Sequence, residues 1–466
     1  MATPHVLALP FPAQGHVIPL MQLSHRLVEN GIEVTFVNTE LNHALVLDAM
    51  PADGSGRSLD GIHLVAVPDG LAEGDDRKDL GKLVDGMSRH MPGYLEELVG
   101  RTEASGGTKI SWLVADEAMG WAFEVAKKLG IRAAAFWPGS AAFLDITLRI
   151  PQMIQVTASS TRKETSQFAP GMPPLHTSKL PWNHAGAPEG QPAIFQLVTQ
   201  NNEAKDLAEV ILCNSFRDAE PGAFKLYPGI LPIGPLFADH QLQKPVGQFL
   251  PEDTGVRGIR QFHRVQPAAV RGACAGAGAR WPALPVGGAA RLRHWPEQSV
   301  ARRVQGPCRR QGHDRELVPP AAGTYVPRHT CSVVRTAYRH RAVLPSIGQV
   351  LAHRAVACFV SHCGWNSTLE GVRNAVPFLC WPYFTDQFQN ESYICNVWRT
   401  GLAVAPGPDG VVTKEQLSGK VERVLGDDGI RERVIALKDA ACRSIAEGGS
   451  SHDNFKKFVE LVKLKE

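Results

Sequence analysis

At 466 residues, with a net charge of +3 and 44% hydrophobic content, the chain can fill the cores of two or three folded domains. No apolar run approaches the length of a membrane span, and Met1 to Gln14 has no basic leader and carries Pro4, Pro10 and Pro12, so no signal peptide is expected. The nine Cys show no metal or redox spacing and predict reduced thiols in the cytosol, with Cys363 and Cys380 as small buried residues.

The elements begin with a short apolar strand, His5 to Leu9. Pro10 to Gly15 is a loop, and Val17 to Asn30 has helical spacing (Val17, Leu20, Met21, Leu27, Val28) stopped by Gly31. Glu33 to Val37 is the next strand. The unit recurs as a strand at Ile110 to Ala115, a helix at Trp121 to Leu129 stopped by Gly130, and a strand at Ala133 to Phe136. Repeats of this kind predict a parallel sheet covered by helices on both faces, with ligands at the carboxyl ends of its strands.

Two residues stand at such ends. His16 follows the first strand, and Asp116 follows Ile110 to Ala115. A His beside a carboxylate is a general base, because the carboxylate fixes the tautomer and supports the imidazolium that forms. Read alone, His16 also fits a surface or capping position, and Asp116 an N-cap. From Ile150 to Leu197 the chain is poor in periodicity and rich in Pro, Ser and Gly.

The pattern returns with a strand at Ala357 to Val360, a tight loop through His362, Cys363 and Gly364, a helix at Ser367 to Asn374, and a strand at Phe378 to Trp381. An acidic-amide loop follows, ending in Asp386-Gln387. A helix opening just after Gly364 offers unpaired N–H groups and a positive dipole end, which suits a diphosphate. His362, Asn366 and Ser367 add side-chain donors there. Glu370, one turn along, and Asp386-Gln387 are groups of the kind that read sugar hydroxyls. Together they point to a nucleotide-sugar.

Val350-Leu351-Ala352-His353 through Gln387 resembles the signature box of the plant family 1 UDP-glycosyltransferases, lacking only its opening. The resemblance implies that His362, Asn366 and Ser367, in a loop with Gly364 and Trp365, contact the diphosphate. It implies Glu370 on the ribose, and Asp386 and Gln387 on the sugar. Pro10-Phe11-Pro12-Ala13-Gln14-Gly15-His16 resembles the motif whose His deprotonates the acceptor, and Trp112 to Asp116 resembles the strand that delivers its Asp partner. Asn214-Ser215-Phe216 and Leu231 to Pro235 resemble the approach to the interdomain linker. Gly448 to Ser451, and the helix after them, resemble the tail that crosses back to the first domain.

Residues 256–349 break this pattern. They hold sixteen Arg, no Lys, and only Glu297, Asp314 and Glu316 as acids, a surplus of +13 that leaves −10 for the rest. A basic nucleic-acid arm, a disordered linker and an off-frame reading compete here. Back-translation favours the last. Gly258 to Ala273, read one nucleotide later, can encode AFGSFTVFNPRQFEE, which resembles the family's first donor-domain strand and helix. At the same offset, Ala283 to Leu292 can hide PFLWVVRPD, and Gly312 to Ala322 can hide GMIVSWCPPQQ, the missing opening of the box. In the frame as written, Leu344 and Ile347 fall where the family has a uracil-stacking Trp and a ribose-contacting Gln. The Gly276-x-Gly278 pair lacks the strand and third Gly of a dinucleotide fingerprint.

The expected fold is α/β, of the GT-B type, with two doubly wound Rossmann-like domains facing a cleft and 256–349 irregular. Residues 1–247 would bind the acceptor, 248–449 the UDP-sugar, and 450–466 would form the helix crossing back. The implied reaction is inverting transfer of a sugar, glucose first, from UDP to a hydroxyl or carboxyl of a small lipophilic plant metabolite. His16 would be the base and Asp116 its partner, with no cofactor beyond the UDP-sugar co-substrate. No metal is expected, since no Asp-x-Asp pair lies near the donor motif. The chain is expected to be a cytoplasmic monomer with no nucleic-acid partner and no membrane span. The alternative is a catalytically dead remnant lacking an intact donor site.

Overall fold

The computed structural model describes residues 3–48, 58–59, 61–72, 74–77, 79–150, 165–181, 191–236, 280–282, 350–353, 356–407 and 411–464. Its first half is built on β1 (His5–Leu9), β2 (Glu33–Thr39), β3 (Ser58–Leu59), β4 (Ile62–Val67), β5 (Trp112–Asp116), β6 (Arg132–Trp137), β9 (Val210–Cys213) and β10 (Ile230–Pro232). These form one eight-stranded sheet in the order β10-β9-β6-β5-β1-β2-β4-β3, in which only β3 runs antiparallel. The central strands are buried on both faces, which is why β1, β5 and β6 are mostly apolar instead of alternating with polar residues. The pleat still sorts them. Val6 and Ala8 of β1, with Trp112 and Val114 of β5, enter one core, while Leu7, Leu9, Leu113 and Ala115 enter the other.

Helices α1 (Gln14–Glu29) and α2 (Glu40–Asp48) follow β1 and β2, and α3 (Leu80–Ala104) and α4 (Trp121–Leu129) flank β5. Helix α1 lends Val17, Leu20, Leu23 and Leu27 to the first core, and α3 lends Met87, Met91 and Leu95 to the second. Helix α4 ends where the sequence predicts, because Gly130 takes the left-handed conformation (φ 65°) that closes a helix at little cost. Helices α5 (Ala141–Leu148), α6 (Gln191–Ala204) and α7 (Pro221–Leu226) complete this half, with a small hairpin of β7 (Thr165–Ser166) and β8 (Leu175–His176).

The second half carries a parallel three-stranded sheet, β12 (Phe359–Ser361), β13 (Phe378–Cys380) and β14 (Gly401–Ala403), with β13 in the middle. Helix α8 (Trp365–Arg373) joins β12 to β13, and α9 (Gln387–Ser392) runs into a π-helical turn, Tyr393–Val397. β11 (Arg280–Pro282) pairs antiparallel with β15 (Val411–Thr413). These three residues are the described part of the Arg-rich stretch. Its expected irregularity, Gly276-x-Gly278, Leu344 and Ile347 lie outside the described residues, as do 151–164 and 182–190 of the aperiodic segment.

Helices α10 (Lys414–Gly426) and α11 (Asp428–Ile445) lead to α12 (Ser450–Lys463), which lies on the first sheet. Phe455, Phe458, Val459 and Val462 join the core of β1 and β5, Phe458 meets Trp112 edge-on at 5.8 Å, and Asn454 Nδ2 donates to Pro232 O at 3.0 Å. Among the described residues no helix is long and apolar enough to cross a membrane.

Candidate active site

In the first sheet the strand order reverses beside β1, the position where open α/β sheets leave a crevice at the carboxyl ends of their strands. β1 and β5 are paired there, Leu9 opposite Ala115, so the residues that follow them meet. His16, in the first turn of α1, places Nδ1 2.7 Å from Oδ2 of the fully buried Asp116. Asp116 Oδ1 accepts from Ala118 N at 2.9 Å, which holds the carboxylate in place. A carboxylate only accepts, so Nδ1 carries the proton and Nε2 keeps the basic lone pair. Burial opposes a charge on His16, but the attraction and hydrogen bond of Asp116, with help from Asp386 and Glu117, outweigh it and raise its pKa above the ordinary value. Phe11 packs beside the imidazole with ring centroids 5.2 Å apart.

Glu117 is the neighbour that sequence reasoning missed. It is 4% exposed, and its Oε1 has no hydrogen-bond partner among the described residues. Burial, followed by the charge of Asp116, pushes it up to about 8. The raised value favours its uncharged form beside the pair. The signal available was a second acid directly after Asp116 in an otherwise apolar run.

Across the cleft, β12 passes into a turn at His362, Cys363 and Gly364. Cys363 adopts a left-handed conformation (φ 66°) that side chains rarely take. Ser361 Oγ accepts from Cys363 N at 3.0 Å and Asn390 Nδ2 donates to Cys363 O at 2.8 Å, so the turn is held from both sides. A Cβ on Gly364 would stand 2.5 Å from His362 Nε2, so glycine lets the imidazole lie across the turn.

Helix α8 begins at Trp365, two residues before the predicted start, which puts Trp365, Asn366 and Ser367 in its first turn. Gly364 caps it with no side-chain bond and no acid sits in that turn, so its dipole end and N–H groups stay available to an anion. The Trp365 side chain is 4% exposed and its indole N–H donates to Asn214 O at 2.7 Å in the first half, so the ring joins the two halves and any part in donor binding falls to its backbone N–H. Asn366 Nδ2 also crosses, donating to Gly15 O at 2.9 Å beside His16. Glu370 is half-buried one turn further on, and burial pushes it up to about 7 against the pull of Arg373.

After β13 the chain reaches Asp386, whose pKa burial raises while Asn390, Thr385 and His16 pull it down. Its Oδ2 accepts from Asn390 Nδ2 at 2.7 Å and its Oδ1 from Thr385 Oγ1 at 3.1 Å. Gln387 Oε1 accepts from the backbone N–H groups of Tyr383 and Phe384, both at 2.9 Å, so its Nε2 is the group with which it can meet a hydroxyl. Asn390 was also missed. It ties Asp386 to the Cys363 turn, and its position four residues past Asp386 on a helix was the only hint. Together the halves present a base with an orienting acid, a helix N-terminus suited to an anion, and an acid–amide pair suited to hydroxyls. Among the described residues no group of three or more His, Cys, Asp or Glu could hold a metal ion.

Residues 342–440 match the family model described as UDP-glucoronosyl and UDP-glucosyl transferase. Over 477 residues the chain is 38% identical to UDP-glycosyltransferase 83A1 of Arabidopsis thaliana, covering 99% of this chain and 97% of that one. It is 26% identical to (R)-mandelonitrile beta-glucosyltransferase of Prunus dulcis, covering 99% and 97%. Among solved structures, Os79 from O. sativa in complex with UDP superimposes with a TM-score of 0.70 at 23% identity, covering 98% of this chain and 100% of that one. A UDP-glucosyltransferase from Polygonum tinctorium gives 0.69 at 23% identity, covering all of both chains. At that identity the structural likeness speaks for the fold.

Proposed function

The chain belongs to the UDP-glycosyltransferase family and has its GT-B fold, and from that premise we propose an inverting transfer of a hexose, glucose first, to an oxygen of a small lipophilic metabolite. The observation that carries this reading is the His16–Asp116 pair at 2.7 Å, with Asp386 of the opposite half close enough to act on its charge. The acceptor hydroxyl gives its proton to His16 Nε2 while its oxygen attacks the anomeric carbon. The bond from that carbon to the diphosphate breaks, and UDP leaves. Attack opposite the leaving group inverts the anomeric centre. Asp116 holds the imidazole and supports its positive charge. His362, the α8 N-terminus, Asn366 and Ser367 take the diphosphate, Glu370 the ribose, and Asp386 and Gln387 the hexose. Residues 1–247 supply the acceptor side, 248–449 the donor side, and 450–466 the returning helix. The monomeric state and cytoplasmic location belong to the same reading.

The test is product analysis of the purified chain with UDP-glucose and a panel of phenols, terpenoid alcohols and carboxylic acids, with the linkage read by NMR. A β-linked product from the α-linked donor is expected. An α-linked product overturns the mechanism.

We infer in addition that 256–349 is an off-frame reading within a coding sequence of this family. Three family segments at one offset support this, as does a family-model match that begins only at residue 342. Transcripts sequenced across codons 250–355 should show a frame change near Gly255–Val256 and its reversal near Gln349–Val350. A sole message faithfully encoding the Arg-rich run would overturn the inference.

A further inference from the structure

The sulfurs of Cys380 and Cys395 lie 3.8 Å apart. Cys380 ends β13 and is fully buried, while Cys395 is half-buried in the π-helical turn Tyr393–Val397. The chain between them, Trp381 to Ile394, carries Asp386 and Gln387. The two thiols therefore stand at the two ends of the segment proposed to hold the sugar. A disulfide requires about 2.05 Å between sulfurs, so bond formation needs less than about 2 Å of closure. A π-helical turn is a local irregularity of the helix and a place where such movement can be taken up.

The two thiols differ in access. Burial, with Cys363 and Cys395 adding, raises the pKa of Cys380 well above its ordinary value, so it stays protonated and closed to reagents from solution. Cys395 is the half-buried member, the one of the two with part of its surface open to solvent. We propose that Cys380 and Cys395 are a reversible modification site, at which a low-molecular-weight disulfide such as oxidised glutathione installs an intrachain bond closing the donor loop. Cys395, as thiolate, attacks one glutathione sulfur. The glutathione S–S bond breaks, and the first glutathione leaves and takes the released proton. Cys380 then attacks the Cys395 sulfur of the mixed disulfide and expels the second glutathione, which takes the Cys380 proton. Two protein thiols and one glutathione disulfide become one protein disulfide and two glutathione thiols, a two-electron exchange. The low thiolate fraction of Cys380 is offset by its position in contact with the sulfur it attacks. In a reducing cytosol the pair rests as thiols, which suits a transient sensing bond better than a structural one.

The functional consequence rests on the assignment of Asp386 and Gln387 to the hexose, so the experiment reads the bond and the binding separately. The folded chain is equilibrated with oxidised glutathione, alkylated, and digested with trypsin, which releases both cysteines in the single peptide between Arg373 and Arg399. That peptide is expected to be unalkylated and two hydrogens lighter, and to revert with dithiothreitol. Cys395→Ser should abolish the change and Cys442→Ser should not. In the oxidised enzyme the KM for UDP-glucose should rise severalfold and recover on reduction. Both cysteines alkylated, glutathione held on Cys395 alone, or a link from Cys380 to Cys363 would overturn the proposal. A closed peptide with unchanged KM would keep the bond and remove the sugar assignment instead.

Discussion

His16 and Asp116 hang from adjacent central strands of an eight-stranded sheet, whereas Asp386 and Gln387 follow the middle strand of a three-stranded one. On the first side, the pairing of β1 with β5 and the first turn of α1 bring the groups to 2.7 Å, and a backbone N–H holds the carboxylate. On the second side, position depends on side chains gripping loop backbone: Gln387 on Tyr383 and Phe384, and Asn390 on both Cys363 and Asp386. The two sides should therefore fail differently. Changes on the acceptor side alter proton chemistry with geometry kept, and changes on the donor side alter where things bind.

The sharpest way to break the contrast is His16→Ala in the frame-restored enzyme. Turnover should fall by about 10²–10⁴-fold, the usual contribution of a positioned base, with UDP affinity by calorimetry unchanged. Near wild-type turnover would remove the base from the mechanism. Asp116→Asn should cost less, about 10–100-fold, and should also move the pH profile. The working base is neutral His16, and Asp116 is the main influence raising its pKa, so wild-type activity falls as pH drops through that raised value. Without the charge of Asp116 the acid limb should shift to lower pH. A limb that stays in place would assign it to another group.

On the donor side, Glu370→Gln should weaken UDP by about 0.5–1.5 kcal/mol, one hydrogen bond's worth. Wild-type affinity should rise with pH and level off above about 7, because the ribose hydroxyls need the ionised carboxylate. The variant should lack this slope, and a slope that persists would place the titration elsewhere. The smallest effect is expected for Gln387→Ala, which should spare UDP binding and change only the preference among UDP-sugars. Equal loss of UDP in both variants would merge the two subsites.

Much of this arrangement was legible in the chain. Helix α4 was read end to end, since Trp121 opens its apolar stripe and Gly130 closes it. Apolar runs make visible that His16, Asp116 and the 361–387 loop follow strands, but read alone His16 fitted a capping position and Asp116 an N-cap, and it was the family resemblance that gave them their roles. The start of α8 was placed two residues late, because Trp365 and Asn366 read as loop residues until a glycine cap put them in the first turn. The contact of the Trp365 indole with Asn214 was not legible, because a motif shows neighbours in sequence, while Asn214 is a neighbour only in space. Asn390, Glu117 and the contact between Cys380 and Cys395 escaped for the same reason. Their partners are set by how strands, helices and one π-turn stack.

Helix α12 has a consequence for how the protein is made. Trp112 in the fourth long strand of the first sheet meets Phe458 edge-on, and Arg26 lies 3.9 Å over the ring of Phe455. The core of the first sheet thus takes in Phe455, Phe458, Val459 and Val462, which are translated after the strands of the second half. A chain emerging from the ribosome at some 5–20 residues per second spends tens of seconds with that face of the sheet uncovered. That face of the sheet stays open until α12 is released, which lengthens the time in which it can meet a chaperone or another chain.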